Sequence, residues 1–218
     1  MGVGDSASRK NITVFASGGG SDLQAIINAC ESGRLNACVC VVISNNSGSK
    51  ALERARNHNI PAFHFSRNVI LNQNEQANSN DSAMSETELQ NKLDKAILDT
   101  ILNHNTDIIF LAGYLKKLGS DILKTFENRV FNIHPSLLPK YGGKGMYGIN
   151  VHTAVINNRE TETGVTVHRV IEEYDKGEII AQRKVPVLDS DTPETLAARV
   201  LEQEHLFIVE VLERIIIQ

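Results

Sequence analysis

Apolar and polar positions along the chain fall into two kinds of block. Short runs rich in β-branched residues are typical of buried strands, whereas longer stretches with apolar residues three or four apart are typical of helices. The first half predicts strands at 11–17, 38–44, 62–65 and 108–111, and helices at 23–32, 50–58 and 87–102. The second half predicts strands at 130–133, 163–170 and 179–187, and helices at 151–157 and from about 193 to 217.

This alternation predicts an α/β fold with a doubly wound, mostly parallel sheet, helices on both faces and a Rossmann-like N-terminal half. Only a short connection joins the last two strands, which predicts a C-terminal antiparallel pair that extends the sheet. We expect a single domain over residues 11–218 after a flexible leader at 1–10. The stretch at 67–85, rich in Asn, Gln and Ser, is expected to be a mobile surface insertion.

Composition narrows the class of protein. The chain has 218 residues, of which 41% are hydrophobic, so it can bury one sizeable core, and no apolar run reaches the length of a membrane span. Its net charge of -4, without basic runs, predicts neither a nucleic-acid nor a membrane partner. Cys30, Cys38 and Cys40 form no C-x-x-C pair, so we expect reduced thiols and a cytoplasmic setting, with an organelle stroma as the alternative.

A glycine loop, Gly18-Gly19-Gly20, connects the first predicted strand to the first predicted helix. Glycines allow a tight turn with inward-facing N–H groups, and Ser21 or Asp22 could cap a helix whose N-terminus attracts an anion. Leu23 stands where a dinucleotide fingerprint needs a third small residue, which argues against a nicotinamide-dependent reductase. From the loop alone, a monophosphate site and a plain β-to-α turn both stay open.

A second candidate site follows the fifth predicted strand. Asn132 and His134 are two residues apart, so their side chains leave a strand on the same face, and Pro135 ends the strand there. An amide can stabilise an oxyanion and an imidazole can move a proton, although a locally bonded structural histidine is the alternative. For Asp175, a partner of the imidazole and a solvated turn residue both stay open, and His168 is either packed or lines the site.

Five motifs occur in order along the chain. They are G-G-G-S-D-L-Q-A-I at 18–26, L-A-G-Y-L at 111–115, N-I-H-P-S-L-L-P at 132–139, E-E-Y-D-K-G at 172–177 and R-V-L-E-Q-E-H at 199–205. Over residues 11–212 the chain thereby resembles the phosphoribosylglycinamide formyltransferase family. The resemblance implies transfer of a formyl group from 10-formyltetrahydrofolate to the amine of glycinamide ribonucleotide in purine biosynthesis, by a monomer or homodimer.

The resemblance also implies roles for individual residues. The catalytic residues are Asn132, His134 and Asp175. The ribonucleotide contacts are Gly20, Ser21, Asp22 and Glu204. The folate contacts are Leu115, Lys116, Lys117, Leu118, Asn132, Ile171, Glu172, Glu173, Tyr174 and Asp175. A carboxylate beside an imidazole favours the charged form, so Asp175 is expected to keep His134 protonated at neutral pH. No Cys or His cluster has the spacing of metal ligands, so no metal is expected.

Three features depart from the family or vary within it. Asp22 stands where the family usually has Asn, so a negative charge lies near the expected phosphate unless the side chain turns away to cap the helix. Glu86 aligns with an arginine of many members, which leaves Arg67, Lys116 or Lys117 as anchors for the glutamate tail of the folate. The glycine-rich stretch at 140–148 is expected to form a flexible flap.

Other functions are considered beside this one. A formyltetrahydrofolate deformylase would use water as the acceptor, and another 10-formyltetrahydrofolate-dependent formyltransferase would use another amine. A methionyl-tRNA formyltransferase needs a basic surface, whereas this chain is acidic. A non-catalytic nucleotide- or folate-binding module would not need the combination of Asn132, His134 and Asp175.

Overall fold

The computed structural model describes residues 8–71 and 85–217. Within these residues the strands are Lys10–Phe15 (β1), Ala37–Ser44 (β2), Ala62–His64 (β3), Ile108–Leu111 (β4), Val130–His134 (β5), Glu162–Arg169 (β6) and Ile179–Pro186 (β7). They form one sheet in the order β3-β2-β1-β4-β5-β6-β7. Strands β1 to β5 are parallel. Strand β6 is antiparallel to β5, and β7 is antiparallel to β6. The predicted α/β class with its antiparallel C-terminal pair is therefore confirmed.

The main helices of the described part are Ser21–Glu31 (α1), Lys50–Asn57 (α2), Glu86–Asn103 (α3), Ser120–Thr125 (α4), Ile149–Asn157 (α5) and Pro193–Ile217 (α6). Most lie within two residues of their predicted bounds. The sequence analysis did not predict α4, because its six residues are too few to show a helical repeat. Ser85 and Glu88 have the sequence spacing of a capping box, which predicts a helix start at this point, and in the structure the two residues are bonded reciprocally at the start of α3.

Helices cover both faces of the sheet. On one face, β1 residues Ile12 and Val14 pack with apolar residues of α1, α2, α5 and α6. On the other face, Phe15 packs with Ile101 of α3 and Ile122 of α4. With both faces buried, the ends of the parallel strands are the accessible part of the sheet, which is where α/β proteins bind ligands.

Two predictions concern residues that the structure describes only in part. Of the leader, 1–7 lie outside the described residues, but Arg9 donates hydrogen bonds to the carbonyls of Cys30 and Ala37 and β1 begins at Lys10. Of the insertion, 67–71 are helical and 72–84 lie outside the described residues. Across the described chain, no helix is both long and apolar enough to cross a membrane.

Candidate active site

The glycine loop is held by its carbonyl groups. The Gly18 carbonyl accepts hydrogen bonds from the Ser49 hydroxyl at 2.9 Å and the Ala51 N–H at 3.3 Å, and the Gly19 carbonyl accepts from Arg54 Nε at 2.9 Å. Among the described residues, the N–H groups of Gly18, Gly19 and Gly20 donate to no acceptor. The loop thus presents unpaired donors just before α1, which is the arrangement that an anion binds.

The start of α1 corrects the prediction in two ways. The helix begins at Ser21, two residues earlier than predicted, and its N-cap is Gly20, which makes no side-chain cap. Gly20 has a φ of +70°, and a Cβ there would lie 2.8 Å from the Cα of Ala51, so only glycine fits between the loop and α2. Neither Ser21 nor Asp22 caps the helix, and one carboxyl oxygen of Asp22 is buried without a hydrogen-bond partner.

Asn132 and His134 lie on β5 as predicted, and both residues line one cavity. This flap cavity, of about 520 Å³, is lined by Asn132, His134, Asp175, Asp22, Glu204 and the flap residues 143–148, among others. The parallel pairing of β1, β4 and β5 puts their carboxyl ends side by side. Two of the four predicted ribonucleotide residues, Asp22 and Glu204, line this cavity, whereas Gly20 and Ser21 do not and only precede Asp22 along the chain.

The environment of His134 differs from the prediction. Its Nε2 donates to the Tyr141 carbonyl at 2.8 Å, because a carbonyl can only accept, and this leaves Nδ1 unprotonated in the neutral ring. Nδ1 lies 3.8 Å from Asp175 Oδ2, too far for a hydrogen bond. Burial lowers the pKa of His134 and outweighs the raising effect of Asp175. The expected protonated histidine is therefore wrong for the ligand-free protein, in which His134 is neutral near pH 7.

Asp175 connects the flap to the strand ends. Its Oδ2 accepts a hydrogen bond from the Gly143 N–H at 2.7 Å, and its Oδ1 lies 3.4 Å from His168 Nε2. Burial raises the pKa of Asp175. The contacts with His168 and the Gly143 N–H and the nearby His134 lower it by more than burial raises it, so the net shift is downward. Asp175 also adopts a φ of +53°, a conformation that costs a non-glycine residue energy and is often found at functional sites.

His168 is part of the site, which the sequence analysis left open. Its Nδ1 donates to the Arg169 carbonyl at 2.7 Å, and its Nε2 lies 3.0 Å from Asn132 Nδ2 and 3.4 Å from Asp175 Oδ1. In the neutral ring Nε2 therefore accepts from Asn132, whereas a protonated ring donates from Nε2 to Asp175. Asn132 and His168 are directly paired across β5 and β6. The sequence predicted the strand that contains His168, at 163–170. Only the register of this strand with β5 places His168 opposite Asn132, and the sequence does not give that register.

His152 on α5 is a further histidine, to which no sequence pattern pointed. It is buried, and its Nδ1 has no partner among the described residues. Burial, with a smaller effect of His134, lowers the pKa of His152 to about 4. This histidine is therefore neutral at physiological pH and adds no charge beside His134.

The predicted folate residues line a second, narrower cavity of about 80 Å³. All of them except Leu115 contribute to its wall, and Leu115 lines the flap cavity instead. Lys117 lies across this narrow cavity, with its Nζ donating to the Glu172 carbonyl at 2.8 Å and lying 4.7 Å from the centre of the Tyr174 ring. The narrow cavity and the flap cavity share Asn132 and Asp175, so they meet at the predicted catalytic residues.

A third cavity, of about 650 Å³, adjoins the narrow one and contains the three proposed tail anchors, Arg67, Lys116 and Lys117. Arg67 forms an ion pair with Glu86, so the glutamate at the family's arginine position holds a neighbouring arginine at this cavity. The three cations are thus brought together where the carboxylates of a bound ligand could reach them. No group of three or more His, Cys, Asp or Glu residues within the described ranges could hold a metal ion.

Comparison with known proteins shows the family of the chain. The profile of the formyl transferase family matches residues 10–212. The chain is 43% identical to a chloroplastic phosphoribosylglycinamide formyltransferase of Vigna unguiculata over 94% of its length, and 39% identical to a phosphoribosylglycinamide formyltransferase of Haemophilus influenzae over 90% of its length. It spans 60% of the Vigna relative, 64% of an Arabidopsis thaliana one and 82% of the Haemophilus one.

Solved structures show the same fold. The structure of glycinamide ribonucleotide transformylase 1 from Symbiobacterium toebii matches with a TM-score of 0.81 and 33% identity, over 96% of this chain and 88% of that one. A formyltetrahydrofolate deformylase from Pseudomonas putida matches with a TM-score of 0.72 but only 23% identity, over 94% of this chain and 64% of that one, which shows the fold alone. With a profile match over more than half of its residues and relatives of this similarity, the chain belongs to the formyl transferase family.

Proposed function

We propose that this protein transfers the formyl group of 10-formyltetrahydrofolate to the amine of glycinamide ribonucleotide. The observation that carries the proposal is the meeting of two cavities at Asn132 and Asp175. A group-transfer enzyme needs two substrates whose reacting atoms touch, and a shared catalytic wall between two cavities provides that arrangement. The folate lies along the narrow cavity and the larger third cavity that adjoins it, with the narrow cavity widened by the ligand, and the ribonucleotide lies in the flap cavity.

The glycine loop supports a phosphorylated acceptor. Its unpaired N–H groups lie at the N-terminus of α1, where a phosphate is stabilised both by hydrogen bonds and by the helix dipole. The loop is followed directly by Ser21 and Asp22, and Asp22 lines the flap cavity together with Asn132 and His134. A ribonucleotide held by its phosphate at the loop would therefore extend its amine towards the two β5 side chains.

The side chains suit the chemistry of amine attack on a formyl carbon. Attack creates negative charge on the formyl oxygen and a proton that must leave the amine. Asn132 donates one N–H of its amide to His168, and its second N–H is free to stabilise the oxyanion. His134 carries a proton on Nε2, so its Nδ1 is the atom that accepts the proton of the amine.

Asp175 has two roles in this mechanism. When His134 takes up a proton at Nδ1, the imidazolium forms 3.8 Å from the Asp175 carboxylate and is stabilised by it. The same carboxylate accepts the Gly143 N–H, so it also holds the flap over the flap cavity. The intermediate then collapses, the bond between the formyl carbon and the folate nitrogen breaks, and that nitrogen takes the proton from His134, directly or through water, so that tetrahydrofolate leaves.

Names of similar proteins support the same substrates. The Haemophilus relative is named a phosphoribosylglycinamide formyltransferase, and this chain spans 82% of its length. The Vigna and Arabidopsis relatives carry the same name but are considerably longer than the part matched here. We propose a reducing compartment, the cytoplasm first, because Cys30, Cys38 and Cys40 are free thiols. A monomer or homodimer stays a prediction.

The acceptor can be tested with purified protein and 10-formyltetrahydrofolate, by following tetrahydrofolate release with and without glycinamide ribonucleotide. We expect release to depend on the ribonucleotide and to saturate with it. Ribose 5-phosphate, which lacks the amine, is the matched control and should not support release. Equal release without any acceptor would identify a deformylase and overturn the proposal.

A further inference from the structure

Two acidic side chains from different helices line the same end of the flap cavity. Asp22 is the second residue of α1 and Glu204 lies in the middle of α6, and the two helices pack against each other. The Asp22 side chain is only 13% exposed, and Glu204 is 8% exposed. Two buried carboxylates facing one cavity repel each other and lose hydration, so the arrangement needs a compensating charge or a proton.

One ion-pair partner of Asp22 lies within reach among the described residues. The nearest titratable partner of Asp22 is His205, whose Nε2 lies 3.7 Å from Asp22 Oδ1, and neither atom has a hydrogen-bond partner. Other titratable groups on the cavity wall are His134 from β5, Asp175 after β6, Lys144 of the flap and three tyrosines. None of these forms an ion pair with Asp22. His205 offsets only part of the cost of burying Asp22, and Glu204 has no ion pair within the described part of the chain, so a proton on the pair is needed to neutralise the rest.

The pKa shifts of Asp22 and Glu204 also favour a proton on the pair. Burial raises the pKa of Asp22 to about 6, although His205 opposes part of the rise. Burial raises the pKa of Glu204 well above its ordinary value, and the charge of Asp22 raises it further. When two carboxyl groups interact in this way, the protons belong to the pair, which keeps one of them at a pH where isolated carboxyl groups have lost theirs.

We propose that Asp22 and Glu204 share a proton and bind the ribonucleotide as a hydrogen-bond donor, so that ribonucleotide binding is coupled to proton uptake by this pair. The proposal rests on the proposed function, because it takes the glycine loop just before Asp22 as the phosphate site. An anionic phosphate there favours the protonated pair, and linkage then requires that protonation favour binding. An asparagine at position 22 would leave Glu204 as the only buried carboxyl group of the pair and would weaken this coupling.

The sign of the effect follows from the direction of the shifts. Both groups have raised pKa values, so the pair loses protons as the pH rises from about 6, where Asp22 titrates. Each proton lost adds negative charge beside the phosphate, so affinity for the ribonucleotide falls as the pH rises. One coupled proton changes the dissociation constant by up to about tenfold per pH unit.

The test is calorimetric titration of the protein with glycinamide ribonucleotide, without folate, between about pH 6 and 8. Measuring each pH in two phosphate-free buffers of different ionisation enthalpy gives the number of protons taken up. Asp22→Asn keeps the size of the side chain and removes the titrating group, so we expect it to take up fewer protons and to show a flatter affinity profile. Glu202→Gln, at an exposed acid on the same helix, is the control and should match the parent.

The titration of phosphate and amine groups on the ligand is common to all variants, so the difference between parent and Asp22→Asn isolates Asp22 and the groups that titrate with it. His205→Asn should keep most of the proton uptake, and loss of the uptake in this variant would assign the proton to the imidazole and overturn the proposal. Identical proton uptake and pH profiles in those two proteins would overturn the proposal. Ribose 5-phosphate is titrated in parallel, because its binding needs no amine chemistry. If proton uptake depends on Asp22 but the protein transfers no formyl group, the shared proton is supported and the proposed function is rejected. If the protein transfers formyl groups but its proton uptake does not depend on Asp22, the proposed function is supported and the shared proton is rejected. If neither ligand binds the parent, both fail.

Discussion

Asn132 lines both cavities, and its amide has one N–H bonded to His168 and a second with no acceptor among the described residues. Asn132→Ala removes the proposed oxyanion donor, and we expect kcat to fall by about 10² to 10³, equivalent to about 3 to 4 kcal/mol. Steady-state kinetics with both substrates measures the effect. Asn57→Ala, at an exposed position at the end of α2, is the control. A loss of less than about tenfold would make Asn132 a structural amide.

Asp175 is expected to act on His134 through charge. Burial lowers the pKa of His134 and the Asp175 carboxylate opposes this, so Asp175→Asn should lower that pKa further. If neutral His134 is the base, the acidic limb of the pH profile of kcat/KM moves to lower pH. Titration of the His134 ring by NMR measures the shift directly.

The control for this prediction is Asp189→Asn, an exposed aspartate outside the cavities described above. It should leave the His134 titration and the pH profile unchanged. A His134 titration that is the same in Asp175→Asn and the parent would show that Asp175 serves only to hold the flap through Gly143.

At the residue scale, the sequence predicted the residue pair whose geometry is local and missed the contacts that depend on tertiary structure. Asn132 and His134 follow from strand periodicity, because side chains two residues apart share a face. His168 depends on the register of β5 with β6, which no local pattern fixes. The neutral state of His134 depends on burial, which the expectation of a charged histidine did not include.

At the element scale, the glycine loop and α1 act as one unit. Gly20→Ala introduces a side chain at a φ of +70° and against Ala51. The conformation alone costs about 1 to 2 kcal/mol, and the overlap adds about 1 to 3 kcal/mol. Because the loop would have to move, we also expect a raised KM for the ribonucleotide with little change in that for the folate.

Gly33→Ala is a matched control for this prediction. Gly33 also has a positive φ, +77°, but a Cβ there would meet nothing within 4 Å. It should therefore show the conformational cost in urea denaturation without a change in either KM. Equal effects of the two substitutions on stability and on the ribonucleotide KM would mean that the loop is only a turn.

The bounds of elements were predictable where side chains mark them. Ser85 and Glu88 predicted the start of α3, and the capping box is present. The start of α1 was predicted two residues late, because Gly20 ends the loop in a left-handed conformation and leaves no side-chain signal. The six residues of α4 form a helix in the tertiary structure without a periodic pattern of their own.

At the scale of the whole molecule, the alternation of elements was enough to predict the sheet and its antiparallel extension. Pairing of β4 with both β1 and β5 then puts the glycine loop, the segment after β4 and the Asn132 strand end at one edge. The sequence did not predict that the folate residues and the flap would form two cavities with a common wall. That arrangement depends on how the flap and the loop after β6 meet, through Asp175 and Gly143.

The central claim is that the formyl group passes from one cavity to an amine in the other. The most direct measurement uses 10-formyltetrahydrofolate labelled in the formyl carbon, together with glycinamide ribonucleotide, and follows the label by NMR. We predict that the label appears as an N-formyl amide on the ribonucleotide, in equal amount to the tetrahydrofolate released, and that Asn132→Ala slows its appearance. Label recovered as free formate, at a rate independent of the ribonucleotide, would contradict the account.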